Sequence, residues 1–398
     1  MKIITLNWGR GKTSIGKIIS EIELYIQPKG VQFFHVYESG YKGCKNSVRL
    51  NNWFWTRVYY VFSNMSGIRY GVGFIPYLEM KYYIWKQKPD LIHIHCPNGH
   101  SINLYKLFEY LRKKDIPVVI TNHAEFFYTG NCSHSVECMK YTTGCKGCED
   151  YKHKEAGNRI CLSDWAWKKM YHALDNSNIA MVAVSPWVME KMRKSPIALS
   201  ANKILTTIFN GVNINVFCKK EQKNKSAVIK IFSASGGFNL DVNSNKGGYY
   251  LNELAKKCLD LNVEFWVAGS ARYEEGISEN ITFLGHIYDQ TELARYYNNA
   301  DVTLVLSKRE TFGMPVAESL CCGTPVIGFK NGGSESIALD DYCAFVDYGD
   351  IDSLYQIIKK HAFREFDSDL IEKEAHKRYD SKKMAQNYYN LYLELTKI

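Results

Sequence analysis

The chain has 398 residues, 46% hydrophobic and 23% charged, which is ordinary for a soluble globular protein and long enough for two domains with cores of their own. No apolar run reaches the roughly 18–20 residues that span a bilayer, and the start, MKIITLNWGRG, reads as a strand entering a glycine turn rather than a secretory leader. A cytoplasmic protein is therefore expected, its 12 cysteines serving as thiols or metal ligands rather than disulfides. The net charge of +9 is uneven, for residues 1–210 carry 28 Lys+Arg against 15 Asp+Glu. That basic half suits an anionic partner, such as a lipid surface or a lipid-linked phosphate, or else serves solubility. Nucleic acid is disfavoured, because the cations are scattered and no compact recognition module is legible.

Residues 2–6 read as a strand, followed by a loop with glycines at 9, 11 and 16 that starts a helix near Ile15. The run Gly9–Thr13 lacks the glycine-to-lysine spacing of a phosphate loop, which argues against a nucleoside triphosphatase and leaves a ligand-facing loop or a plain turn. Residues 31–37 are a second strand. The aromatic run WFWTRVYYVF reads as a buried helix, or as an acceptor groove or membrane-contact helix, and Tyr82, Tyr83, Trp85 and Lys86 repeat its mixture. Residues 89–99 hold a buried strand carrying His93 and His95, expected to be structural; 101–114 are an amphipathic helix; and 116–125 are a strand delivering His123 to its carboxyl end, where open α/β sheets bind ligands. Cys132, Cys138, Cys145 and Cys148 follow with C-x5-C-x6-C-x2-C spacing, which suits a structural zinc pinning an insertion at 130–150, or four reduced thiols packed in a loop. A helix at 163–174, a strand at 179–185 ending on Ser185, and a strand from 204 into the turn Asn210-Gly211 complete a doubly wound sheet, with a hinge near 205–225.

The pattern restarts at 227–235, leading into Gly236-Gly237 and then Lys246-Gly247-Gly248 before a helix. Lysine beside a glycine loop suits a diphosphate leaving group, although an ordinary surface lysine is the plainer reading. Strands at 263–269 and 281–287 precede the densest stretch, SKRETFGMPVAESLCCGTPVIGFKNGG (307–333). Here Glu310 and Glu318 flank a Gly-Met-Pro turn, so that the amides of Gly313 and Met314 open a helix, and a second strand ends on Gly332-Gly333. Amides for a diphosphate and carboxylates for hydroxyls suggest a nucleotide-sugar site; the alternative is ordinary loop acids and turn glycines. No strand-linked G-x-G-x-x-G with an acidic partner is present, which disfavours a dinucleotide oxidoreductase.

Lys246, the Glu310-x7-Glu318 pair, NHAEFFYTGNC with its following cysteines, and SIGKI together make the chain resemble the retaining family 4 glycosyltransferases, in particular bacterial enzymes of capsule, exopolysaccharide and O-antigen assembly. The resemblance covers nearly the whole chain. It implies an α/β GT-B fold, with two doubly wound Rossmann-like domains facing across a cleft: 1–210 binding acceptor, 211–380 binding nucleotide sugar, and 381–398 a helix returning to the first domain. It implies Glu310 on the donor sugar, Glu318 on the ribose, and Lys246 with the amides of Gly313, Met314, Gly332 and Gly333 on the diphosphate, with Gly236 and Phe312 lining the donor site. Lys308 or Arg309 would replace an arginine that many members carry shortly before the lysine. His123 would approach the sugar, and Ser14, Ile15 and Gly16 would line the acceptor side. Metal-independent transfer with retention is implied, from a UDP or GDP sugar to a glycan or lipid-linked acceptor, with peripheral contact at the inner face of the membrane. A nucleotide-sugar epimerase on the same plan, or a non-catalytic glycan-binding module, are the alternatives.

Overall fold

The computed structural model describes every residue except 12, 41–45, 51–52, 136, 150–159, 201, 221–225, 271–274 and 398. Parts of the expected hinge and cysteine insertion, and the position before the aromatic run, therefore lie outside the described residues. The chain forms two compact units, Met1–Phe209 with Met384–Ile398, and Asn210–Lys383.

Unit 1 holds seven strands: β1 (Lys2–Arg10), β2 (Gln32–Gly40), β3 (Ser47–Arg49), β4 (Leu91–Ile94), β5 (Val118–Asn122), β6 (Ile179–Ala183) and β7 (Asn202–Thr207). They pair in parallel in the order β3-β2-β1-β4-β5-β6-β7. Unit 2 holds β8 (Ile229–Ala234), β9 (Val263–Ala268), β10 (Ile281–Gly285), β11 (Val302–Val305), β12 (Val326–Phe329) and β13 (Cys343–Val346), also parallel, in the order β10-β9-β8-β11-β12-β13. Both sheets are thus doubly wound, as the alternating strand and helix pattern predicts. Each first strand feeds chain outward to one side and then to the other, which leaves a switch point between β1 and β4 and another between β8 and β11.

The sequence dictates this because a parallel strand covered by helices on both faces has no polar side to show. Every residue of β4, β5, β6, β11 and β12 is buried, and their runs LIHI, VVITN, IAMVA, VTLV and VIGF are nearly continuous in apolar character. The unit 2 core gathers Ile231, Phe265, Leu304 and Phe329 from the sheet against Leu251, Leu254, Leu354 and Ile358 from helices.

Three elements differ from the plainest reading of the sequence. The aromatic run forms the helix Trp53–Ser66, but this helix is not buried: Ser63 is its one buried residue. The helix Phe74–Gln87 and the short strand β3 were not legible, the first because its aromatic residues follow no clean apolar stripe, the second because it spans three residues.

The helix Ser381–Thr396 carries residues of unit 1 from Met384 onward. Its Tyr392 hydroxyl lies 2.7 Å from Nδ1 of buried His93, and its Tyr388 hydroxyl lies 2.9 Å from Thr121 Oγ1, itself 2.7 Å from His93 Nε2. Both ring nitrogens of a histidine at the centre of the sheet are thereby satisfied, as burial demands. Tyr392→Phe is expected to lower the stability of unit 1 by about 1–3 kcal/mol, the cost of a stranded buried polar group, read as a drop in thermal midpoint by circular dichroism.

Candidate active site

In unit 2 the switch point is built from four backbone segments. β8 runs out into Ser235 and Gly236; a Cβ on Gly236 would lie 3.9 Å from Lys246 Cε, so the lysine stem passes over the strand end. Gly247, at φ +69°, presses so closely on Leu306 that a Cβ would come within 2.2 Å of its carbonyl oxygen. Only glycine permits both the left-handed backbone and the contact, and the contact seats Lys246 beside the outgoing end of β11. Lys246 Nζ donates to Glu310 Oε1 at 3.0 Å, both side chains being partly exposed. Asn245 ties the same segments: its carbonyl accepts from the Lys308 amide at 2.8 Å and its side-chain amide donates to the Arg309 carbonyl at 3.4 Å.

The third and fourth segments, residues 310–313 and 331–334, meet backbone to backbone. Glu310 bridges Gly332 in parallel fashion, and the Gly333 amide donates to the Glu310 carbonyl at 2.8 Å. Gly313, at φ +87°, caps the helix Met314–Cys321 and abuts Ser334. The amides of Gly313 and Met314 therefore stand in the first turn, where helical N–H groups have no acceptor within the helix. Those of Asn331 and Gly332 are engaged instead by the Glu335 carboxylate, at 2.8 and 2.7 Å. An anion drawn to this region meets Lys246 and a helix N-terminus on one side and a resident carboxylate on the other.

The remaining expected residues scatter around this centre. Glu318, one turn along the Met314–Cys321 helix, accepts from the Tyr297 hydroxyl at 3.0 Å. Burial holds the Tyr297 phenol well above its ordinary pKa, so it stays a donor. Lys308 Nζ stands 5.8 Å from the centre of the Tyr348 ring. Phe312 turns away into the core, edge-on to Tyr379 at 6.4 Å between ring centres. Asn245 and Asn331, which shape both loops, were missed; an asparagine beside a glycine turn was the available signal.

Unit 1 places a histidine cluster at its own strand ends. His93 and His95 of the β4 segment lie 3.8 Å apart between ring centres, and His95 Nδ1 is 3.2 Å from Nε2 of His123, just beyond β5. Burial pushes His123 down to about 3 and holds His93 and His95 well below the usual imidazole range. The cluster is therefore neutral and can act only through hydrogen bonding near neutral pH. Two residues on, buried Glu125 accepts from Lys191 Nζ at 2.9 Å, and Lys191 also reaches Ser135 at 2.7 Å, which fixes the loop after His123.

At the switch point Asn7 latches β1 to β4 by accepting from the Cys96 amide at 3.1 Å. The loop beyond folds over the helix Ser14–Ile26: Thr13 caps it by accepting from the Gly16 amide at 3.0 Å, and a Cβ on Gly16 would meet the Gly11 backbone at 2.9 Å. Ser14 and Ile15 open the first turn. Glu38, also missed, is fully buried and accepts from the amides of Gly99 and Ser101 and from the Ser101 hydroxyl; burial raises its pKa against those bonds.

Of the four cysteines in the expected zinc set, buried Cys145 donates its thiol to the Thr129 carbonyl at 3.6 Å and its amide to the Lys140 carbonyl at 2.8 Å, and Cys138 and Cys148 line a cavity of about 370 Å³ with Lys140 and Glu149. Among the described residues no three His, Cys, Asp or Glu side chains converge to hold a metal.

Two parallel Rossmann-like units, the second with a lysine, a glutamate and a helix start at its switch point, are the layout of a GT-B-fold glycosyltransferase. Family comparison agrees: residues 31–216 match the model for Glycosyltransferase Family 4, and residues 243–372 match that for Glycosyl transferases group 1, so the chain is a GT-B-fold glycosyltransferase related to these families. An uncharacterised glycosyltransferase of Methanocaldococcus jannaschii is 27% identical over 162 residues, 37% of this chain and 41% of that protein. The match thus spans less than half the length of that curated relative. HepE of Anabaena, solved in complex with UDP, superposes with a TM-score of 0.66 at 13% identity, covering 98% of this chain and 99% of its own. WaaG, a glycosyltransferase involved in lipopolysaccharide biosynthesis, gives 0.66 at 12% identity over 98% and 99%.

The neutral histidines give a pH signature. A folded-state pKa held below the unfolded value of about 6.5 contributes stability that is fully present above that value and is lost as pH falls towards the folded value of about 3 for His123. Thermal midpoints are therefore expected to fall as pH drops below about 6.5, and His123→Asn is expected to flatten that slope in the same scan.

Proposed function

We propose that the chain moves a hexose or N-acetylhexosamine from a nucleoside-diphosphate sugar, of UDP or GDP type, to a glycan carried on a lipid, with retention, in bacterial surface polysaccharide assembly. The observation that carries this reading is the Lys246–Glu310 pair, 3.0 Å apart at the switch point of unit 2 and inside the segment matched to Glycosyl transferases group 1. The likeness to HepE, whose structure holds UDP, supports the donor class, and the likeness to WaaG supports the surface-glycan setting.

In this reading Lys246 and the first-turn amides of Gly313 and Met314 offset the charge that develops on the diphosphate as the bond from C1 to its oxygen breaks. The acceptor oxygen forms the new bond to C1 on the same face, and its proton passes to a diphosphate oxygen. Glu310 accepts from hydroxyls of the departing sugar and holds the lysine in place. Glu318, steadied by Tyr297, takes the ribose. His123, neutral, serves the sugar as a hydrogen-bonding ring rather than as a cation.

Incubation with UDP, GDP and dTDP sugars plus a glycan acceptor, without added divalent metal, is expected to release nucleoside diphosphate for one donor. Lys246→Ala should lower kcat by roughly 10²–10³-fold, the usual loss when a charge-stabilising donor at the reacting centre is removed; Glu310→Gln, which removes the carboxylate that seats the lysine, should lower kcat as well, while Glu318→Gln should raise the donor KM. Isomerisation of the sugar nucleotide without acceptor would point to an epimerase, and donor binding without turnover on any pair would end the proposal.

A structural zinc is proposed on the cysteine spacing, with Cys138 and Cys148 already sharing one cavity. Metal analysis of protein purified without chelator should then find about one zinc per chain, lost when Cys145 and Cys148 are both replaced; folded protein without zinc would refute it.

A further inference from the structure

His95 is a buried imidazole to which the transfer chemistry above gives no task. It lies just past β4, 1% exposed, with a ring on either side. His93 packs against its face at 3.8 Å between ring centres, and His123 lies beyond its edge at 5.5 Å, in a plane only 16° from its own. His95 Nδ1 is 3.2 Å from His123 Nε2. The ring centres are thus apart by about that distance plus two ring radii, so the rings meet edge to edge. A ring-nitrogen lone pair lies in the plane of its ring, and a hydrogen bond between imidazoles therefore asks for this near-coplanar approach.

One hydrogen bond between two neutral rings holds one proton, and burial keeps both His95 and His123 neutral near neutral pH. The far side of His95 decides which ring supplies it. His95 Nε2 is buried and has no hydrogen-bond partner among the described residues. Were His123 the donor, the proton of His95 would sit on that nitrogen as a buried N–H without an acceptor. Folded chains avoid a stranded donor more strictly than a bare acceptor. His95 therefore carries its proton on Nδ1 and donates it, and Nε2 is left as a lone pair. His123 then accepts at Nε2 and carries its own proton on Nδ1.

The donor ring is itself held in place. His93 and His95 stand two residues apart and so share one face of the strand. Both nitrogens of His93 are engaged, Nδ1 by the Tyr392 hydroxyl and Nε2 by Thr121 Oγ1, at 2.7 Å each. His95 thus stacks on a ring that cannot turn without breaking two buried hydrogen bonds.

We propose that His95 is a positioning residue: its Nδ1–H holds His123 in the tautomer protonated on Nδ1, so that His123 meets a sugar oxygen as a hydrogen-bond donor. This rests on the reading that sets His123 against the sugar.

The tautomer is read directly by long-range nitrogen–proton correlation spectra of the full chain with isotope-labelled histidine nitrogens, near neutral pH. His95 and His123 are assigned by the signals that His95→Asn and His123→Asn remove. Each is expected to show a protonated Nδ1 and a bare Nε2. His95→Leu, which deletes the donor, should turn the His123 signals into a mixture of tautomers and lower kcat by roughly 10–100-fold, the scale of loss when a group at the reacting centre is misplaced, with whichever of the UDP, GDP and dTDP sugars turns over. His95→Asn, whose amide nitrogen stands near the place of Nδ1, should restore most of the rate and the single tautomer, which a merely space-filling role would not predict. Variants are compared at matching circular dichroism and thermal midpoint; if His95→Leu does not fold, the wild-type spectrum and His95→Asn decide. A wild-type His123 protonated on Nε2 would overturn the proposal and leave the transfer reading standing, as would a folded His95→Leu with the wild-type tautomer. Full activity in His123→Asn would instead overturn the placing of His123 against the sugar, whatever its tautomer.

Discussion

Gly333 lies so near the 310–312 backbone that a Cβ there would come within 2.4 Å of the Thr311 carbonyl carbon, and the unit 2 site depends on that contact. Two loops leaving adjacent parallel strands are normally separated by side chains. Here they touch through amides and carbonyls, so Glu310 is fixed by its own backbone rather than by its flexible side chain. With Glu310 anchored, Lys246 has a partner at a set position, and Gly247 on Leu306 fixes the other end of the pair. Charge near a reacting centre is useful when it needs no reorganisation, and backbone contacts between buried strand ends are a rigid way to supply that.

Much of this was legible in the chain. Near-continuous apolar strands alternating with amphipathic helices announced two doubly wound sheets, and the helix over Ser163–Leu174 falls where its periodicity places it. The stretch 307–333 showed its strand, turn, helix and strand order because glycine and proline mark such boundaries sharply. Pairwise geometry was not legible. Nothing in the spacing reveals that the Gly332 amide is taken by Glu335 while that of Gly313 opens a helix. Phe312 stands between a glutamate and a glycine of the site, yet its ring is core, packed edge-on against buried Tyr379.

Aromatic content was the least informative signal. WFWTRVYYVF is as apolar as a core helix, and composition cannot say which side faces in. The small polar residues Thr56, Ser63 and Ser66 decide it, since a helix rests on its neighbours through whichever side allows close approach. In the same way His93 and His95 looked alike on one strand. The structure separates them by partner: His93 is held by Tyr392 and Thr121, and His95 by His123.

His93 and its partner Tyr392 are 299 residues apart in the chain. Because the ribosome delivers the chain from its amino end, the sheet of unit 1 emerges before unit 2, with Nδ1 of its central histidine still lacking Tyr392, and waits while the whole of Asn210–Lys383 is made. Unit 2 is continuous and can condense during that interval. Tyr388 and Tyr392 follow unit 2 in the chain, and their arrival closes unit 1, so the unit whose sheet is made before the other is finished only after that other has been made.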